Sequence, residues 1–134
     1  MMRRPVFTFR PSRASIATVI LAATSASALA ADAAKEAATS EMHAGLAAKA
    51  ATIEQVHTHL HHAVNCLVGP KGQGFDAKEA NPCQSLGDGA IPDTTDAATK
   101  AKLNSALARA QAGLKSDDLS AAQRAAADAQ AALK

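Results

Sequence analysis

Large apolar residues recur at helical spacing between residues 32 and 68. Successive members lie 4, 7, 3, 4, 4 and 3 positions apart, which places them on one face of a helix: Met42, Leu46, Ile53, Val56, Leu60, Val64 and Leu67. Gly69 and Pro70 then form a strong helix stop. The pattern predicts a helix from about 32 to 68. It leaves open a break at Gly45, because glycine is costly in a helix interior, and Ser40 would then cap a new start.

Two further helices are predicted over about 95–115 and 117–133. Leu103, Leu107 and Leu114 mark the first by their helical spacing, and the second carries a narrow seam of small residues. We expect Ser116 to cap the second helix. Helices joined by so short a turn should pack against each other as a hairpin.

The segment 69–94 between these helices is predicted to be a loop. It holds five of the seven glycines and three of the five prolines, and only a short helical turn is expected within it, at Asp76–Glu79. So long a loop is unusual in a compact domain unless something pins it. A disulfide between Cys66 and Cys83 would do so. A redox pair or two thiolate metal ligands remain the alternatives for these cysteines.

Residues 1–30 have the composition of a secretory signal peptide. Four arginines and no acid are followed by a short apolar stretch and by Ala28-Leu29-Ala30, a typical cleavage sequence. The apolar stretch is too short to span a bilayer stably, so no membrane association is expected after cleavage. Residues 31–134 carry 10 basic and 12 acidic residues, which disfavours nucleic acid as a partner. The expected location is the periplasm or the exterior.

Composition favours thin, closely packed helices. Alanine supplies 29 of the residues in 31–134, whereas Leu, Ile, Val and Phe together supply 15. Alanine is the best helix former, and strand-favouring aromatic residues are almost absent. We therefore predict an all-α domain, a small three- or four-helix up-down bundle with a long disulfide-clipped loop, preceded by a signal peptide.

All five histidines lie between residues 43 and 62, and four fall within six positions. Imidazole is the commonest protein ligand for Zn, Cu and Ni. On a helix, His57 and His61 share a face at i and i+4, and Glu54 lies on the same flank. We predict Glu54, His57 and His61 as the principal metal ligands.

A second pair, His59 and His62, lies on the opposite flank and is expected to be more exposed. Cys66 has suitable spacing to join this pair, but a disulfide would remove it. On one continuous helix, His43 lies too many turns before His57 to share an ion with it.

Sites built from one helix are open and need completion by water, by another chain or by loop carboxylates, of which the candidates are Asp76, Glu79, Asp88 and Asp93. The sequence contains no covalent-haem motif, no nucleotide-binding loop and no HExxH, and no enzymatic activity is expected. The alternative is a structural or interaction module, with a protein partner or a second copy of the chain, whose histidines pack against the loop.

The chain resembles the bacterial small metal-binding proteins of the periplasm. The resemblance rests on an export signal, on alanine-rich helices such as Ala121–Leu133, and on histidines along helix faces: His43, His57, His59, His61 and His62. This chain differs in concentrating its histidines and in adding a cysteine-clipped, glycine-rich loop. The resemblance implies binding or buffering of a divalent metal.

Overall fold

The computed structural model describes residues 31–134, so the predicted signal peptide lies outside the described residues. Within that range the chain is all-helical, without strands. Its five helices are α1 (Ala33–Lys49), α2 (Ile53–Val68), α3 (Ala90–Asp93), α4 (Ala97–Leu114) and α5 (Leu119–Leu133). None of these helices is both long and apolar enough to cross a membrane.

The stretch predicted as one helix forms two, and the break lies at residues 50–52 rather than at Gly45. Thr52 begins α2 as its N-cap, because its side chain accepts a hydrogen bond from the backbone N–H of Gln55. Gly45 stays helical and buried inside α1, where an added Cβ would lie 2.7 Å from the Gln130 side chain. Ser40 does not cap a helix. Its buried hydroxyl donates to the carbonyl of Ala63 and ties α1 to α2.

The two C-terminal helices were predicted within a few residues of their observed bounds. Ser116 lies in the turn between them, and Asp118 is the N-cap of α5, accepting from the N–H of Ala121. Asp96 caps α4 in the same way. A carboxylate at a helix N-terminus also interacts favourably with the helix dipole, which explains the preference for aspartate at both starts.

The core combines a few large side chains on α2 with alanines on the other long helices. Val56, Leu60, Val64 and Leu67 are at most 1 % exposed. Facing residues are small, as at Gly113, where an added Cβ would lie 2.6 Å from the Leu60 side chain. Small residues let the helix backbones approach closely, so limited apolar bulk suffices for a continuous core.

The disulfide between Cys66 and Cys83 is present, with the two Cα atoms 5.2 Å apart, and both residues are buried. The buried side chain of Asn65 also holds the loop. It donates to the carbonyls of Asp76 and Ala80 and accepts from the N–H of Asp76. The loop therefore follows the C-terminal half of α2. The short helix α3 falls inside the predicted loop, and residues 76–79 form a turn rather than a helix.

A buried carboxyl group joins α1 to the far end of the loop. Glu36 is fully buried; its Oε1 accepts from the N–H of Gly89 at 3.0 Å, and its Oε2 has no hydrogen-bond partner in 31–134. Burial, the largest cause, and the nearby carboxyls of Asp93 and Asp32 raise the pKa of Glu36 to about 7, against the lowering effect of the Gly89 hydrogen bond. Glu36 is therefore substantially protonated at neutral pH.

Candidate metal centre

The turn between α1 and α2 brings His43 beside two histidines of α2. His43 lies on α1, and His59 and His62 lie one helical turn apart on α2. One ring nitrogen from each of the three lies within 4.8 Å of the other two. Among residues 31–134, no other set of three or more histidine, cysteine or carboxylate side chains is this close. We call these three residues the His triad.

Ring positions in the His triad are compatible with coordination of one ion. The ring centroids are 5.0 Å apart for His43 and His62, 5.7 Å for His43 and His59, and 5.9 Å for His59 and His62. Three imidazoles bound tetrahedrally at about 2.05 Å from zinc have nitrogens about 3.4 Å apart and centroids on the order of 5 Å apart. Modest rotation and approach of the rings would therefore produce a binding geometry.

The surroundings of His43 and His62 favour neutral imidazole at these two positions. Burial, the largest cause, together with the nearby His62 and His59 lowers the pKa of His43 to about 4. Burial also lowers the pKa of His62, although the nearby carboxylate of Glu79 opposes this. Neutral imidazole is the form that binds metals. The Nδ1 atoms of all three rings are buried and have no hydrogen-bond partner in the described region.

The other two α2 histidines have different surroundings. His57 Nε2 donates to the carbonyl of Ser116 at 3.0 Å, in the turn between α4 and α5. His61 Nδ1 lies 3.6 Å from a carboxylate oxygen of Asp76 on the loop. The predicted set of Glu54, His57 and His61 is not brought together as a group of three close ligand atoms within 31–134.

His59 and His62, the pair predicted to be more exposed, are two of the three members of the His triad. The His62 side chain is 15 % exposed, against 28 % for His61. Cys66, which shares the flank of His59 and His62, is occupied by the disulfide. The relative burial of the two flanks is therefore the reverse of the prediction, because α1 packs over the flank that carries His59 and His62.

Two of the four candidate loop carboxylates approach the histidines. Glu79 Oε2 lies 3.8 Å from Nε2 of His62, and Asp76 faces His61. Asp88 instead pairs with Lys71, and Asp93 accepts from the N–H of Asp88. Glu79 is thus the carboxylate placed beside the His triad, close enough to orient the His62 ring through a small shift.

Sequence reasoning missed His43 as a ligand because it did not predict the chain reversal between α1 and α2. In an antiparallel hairpin, residues at equal distances from the turn face each other, and His43 and His59 are each eight positions from Ala51. The signal that could have revealed the turn is the Thr52 cap with Gln55 three positions later, a capping-box pattern ahead of the apolar run.

Comparison with protein-family models, with curated proteins and with solved structures finds no match for this chain. The chemistry of the His triad therefore has to be inferred from its own donors. Three neutral imidazoles form a borderline-soft nitrogen donor set, which suits Zn, Cu and Ni better than Mg or Ca. Such a set leaves a fourth coordination position for water or a carboxylate.

Proposed function

We propose that this protein binds a divalent transition metal ion, of the Zn, Cu or Ni class, through His43, His59 and His62. The observation that carries the proposal is the convergence of three half-buried imidazoles from two helices, with their ring nitrogens within 4.8 Å. Ligands from two elements define a site better than two histidines on one helix. The predicted set of Glu54, His57 and His61 is replaced by the His triad as the principal site.

The clipped loop places a carboxylate beside one of the proposed ligands. Metal-bound histidines commonly interact through their other ring nitrogen with a carboxylate, which fixes the ring orientation. Glu79 lies beside His62 in a suitable place for this role. The disulfide and Asn65 hold the loop that carries Glu79 against α2. Loop and metal site would then stabilise each other.

Binding or buffering, rather than catalysis, is the role we propose. The neighbouring titratable groups face other protein groups: His61 lies beside Asp76, and Glu79 lies beside His62. We further propose that the chain is exported to the periplasm or the exterior. The disulfide supports this location, because disulfides persist in oxidising compartments, and residues 1–30 carry the signal-like composition.

The proposal is tested by calorimetric titration of untagged, oxidised protein with Zn(II), Cu(II) and Ni(II). The variants are His43→Ala and His59→Ala, with His61→Ala as the matched control from the same helix. We expect each triad variant to weaken binding by more than about tenfold, since a lost ligand should cost at least as much as the loss of a group that orients a ligand. The His61→Ala protein should bind within about threefold of the unaltered protein.

The alternative is a structural or protein-interaction module whose histidines pack against other segments. The hydrogen bond from His57 to Ser116 is the specific observation that favours it. If none of the three metals binds more tightly than about 100 µM, where the binding free energy is only about −5.5 kcal/mol, the metal proposal fails. His57 would then be the most informative histidine, because its loss should destabilise the α4–α5 turn.

A further inference from the structure

A groove of about 1000 Å³ lies between α2, α4 and the loop, and none of the histidines lines it. Its apolar lining comes from both helices and from α3: Val64, Val68, Ile91, Leu107 and Leu114. Val64 and Val68 are buried at its base, whereas Ile91, Leu107 and Leu114 stay half-exposed. Concave, mostly apolar sites of 300–1,000 Å³ are typical of small-molecule ligands.

The polar lining of this groove carries an excess of positive charge. Lys71, Lys100 and Lys115 line it together with a single acid, Asp88. Lys71 and Asp88 neutralise each other as an ion pair at 3.3 Å. Within 31–134, no carboxylate lies within 4 Å of Lys100 or Lys115. The charge excess is opposite in sign to residues 31–134 as a whole, which have more acids than bases.

The groove is elongated. Lys100 and Lys115 stand at opposite ends of α4, about 22 Å apart along the helix axis at 1.5 Å per residue. Leu107 lies halfway between them and Leu114 lies next to Lys115, and the polar side chains of Asn104 and Gln111 line the groove between these positions. The apolar lining from α4 therefore consists of two separate leucines. Lys100 is half-buried, whereas Lys115 is exposed, so more of the apolar stem of Lys100 packs against the protein.

We propose that this groove binds a free, linear monocarboxylic acid of medium or long chain. Its carboxylate would pair with Lys100, and its alkyl chain would lie over Leu107 toward Leu114. A ligand with one anionic end and an apolar body satisfies both features of the groove, the unpaired ammonium and the half-exposed leucines. The proposal rests on the groove alone and does not depend on metal binding.

Calorimetric titration of the oxidised, untagged protein with octanoate, decanoate and dodecanoate, all below their micellar concentrations, provides the first test. Burial of one more methylene should improve affinity by up to about fourfold. Decanol and decylamine are the matched ligands without a charge and with the opposite charge, and both should bind at least about tenfold more weakly than decanoate. Absence of decanoate binding, or equal affinity for decylamine, would overturn the proposal.

Two lysine variants locate the carboxylate. Lys100→Gln should weaken decanoate binding by about tenfold or more, as expected for loss of a charge-assisted hydrogen bond. Lys115→Gln removes the same charge from the other end and should change the affinity by less than about twofold. Equal losses in both variants would contradict the assigned orientation, because they would reflect only the general positive charge.

A third test separates a free acid from a membrane surface or a second chain. We expect no co-sedimentation with vesicles of phosphatidylcholine and phosphatidylglycerol, and no change in sedimentation coefficient with protein concentration. Binding to the vesicles that decanoate does not displace, or self-association that Leu107→Asp abolishes, would assign the groove to another occupant. Thermal unfolding of Leu107→Asp establishes that this variant remains folded.

Discussion

Replacing Glu36 by glutamine should remove a large pH dependence from the stability of the protein. The Glu36 carboxyl is fully buried and accepts one hydrogen bond, from the N–H of Gly89. Glutamine has the same shape, keeps an oxygen acceptor for Gly89 and can donate toward the carboxylate of Asp93. It carries no ionisable proton, so the variant isolates the cost of ionising Glu36 in the folded state.

The magnitude follows from the shifted pKa. The pKa of Glu36 rises from 4.5 to about 7 on folding, chiefly because of burial. At 1.36 kcal/mol per unit, this corresponds to about 3 kcal/mol. The folded state binds the proton more tightly than the unfolded state, so the contribution of Glu36 is fully present below pH 4.5. It declines as the pH rises from 4.5 to about 7 and stays lost above that value.

The pKa of His43 is lowered to about 4, so the folded protein binds this proton less tightly than the unfolded chain does. Its effect on the pH dependence of stability is therefore opposite to that of Glu36. The stability it supplies is present above pH 6.5 and is lost as the pH falls toward 4. Burial likewise lowers the pKa of His62. Both contributions are common to wild type and variant. They cancel when one free energy of unfolding is subtracted from the other, so the difference reports Glu36.

Urea unfolding at pH 4, 5, 6, 7 and 8, followed by circular dichroism at 222 nm, measures this difference. We expect Glu36→Gln to have nearly the stability of the wild type at pH 4 and to exceed it by about 3 kcal/mol at pH 8. Glu41→Gln, the same change at a half-exposed position of α1, is the matched control for the loss of one carboxyl group. A difference for Glu36→Gln that does not vary with pH would refute the reasoning.

Three substitutions test the packing and the loop, each by the free energy of unfolding in urea. Gly113→Ala should cost about 1–3 kcal/mol, because its added methyl group meets a buried leucine; a gain in stability would contradict the close approach of α4 to α2. Asn65→Ala should cost about 2–4 kcal/mol and speed amide exchange in the loop, because buried backbone groups lose their hydrogen-bond partners. Unchanged amide exchange would show that Asn65 does not hold the loop. The double change Cys66→Ala and Cys83→Ala should lower the free energy of unfolding by about 3 kcal/mol in the chain-entropy picture. A reduced wild type as stable as the oxidised wild type would contradict this prediction.

Apolar periodicity was sufficient to predict the helical class and most helix positions. The stripe from Val56 to Leu67 is buried as a unit, and a disulfide was one of few options for a chain with two cysteines. These features depend on the spacing of apolar residues and on the number of cysteines, both of which can be read from a single sequence. The end of α2 at Gly69 was predictable for the same reason.

The break between α1 and α2 was less accessible from sequence. The spacing of seven between Leu46 and Ile53 is compatible with two helical turns, so the two helices looked continuous. Met42 and Leu46 were predicted to share the apolar face of α2, but they lie on α1 and are 53 % and 44 % exposed. Gly45 looked like the weakest point, but a glycine also serves where another side chain packs closely, as Gln130 does here. The position of the break determines which histidines form the candidate site, because the chain reversal places His43 opposite α2.

The most direct test of the account is to observe which imidazole rings bind zinc. Long-range ¹H–¹⁵N spectra of the uniformly labelled, oxidised protein report each ring nitrogen during titration with Zn(II). We predict that one nitrogen of each of His43, His59 and His62 shifts to the metal-bound range at one equivalent, while His57 and His61 keep their signals. Shifts confined to His57 and His61, or no shift in any ring, would contradict the central claim.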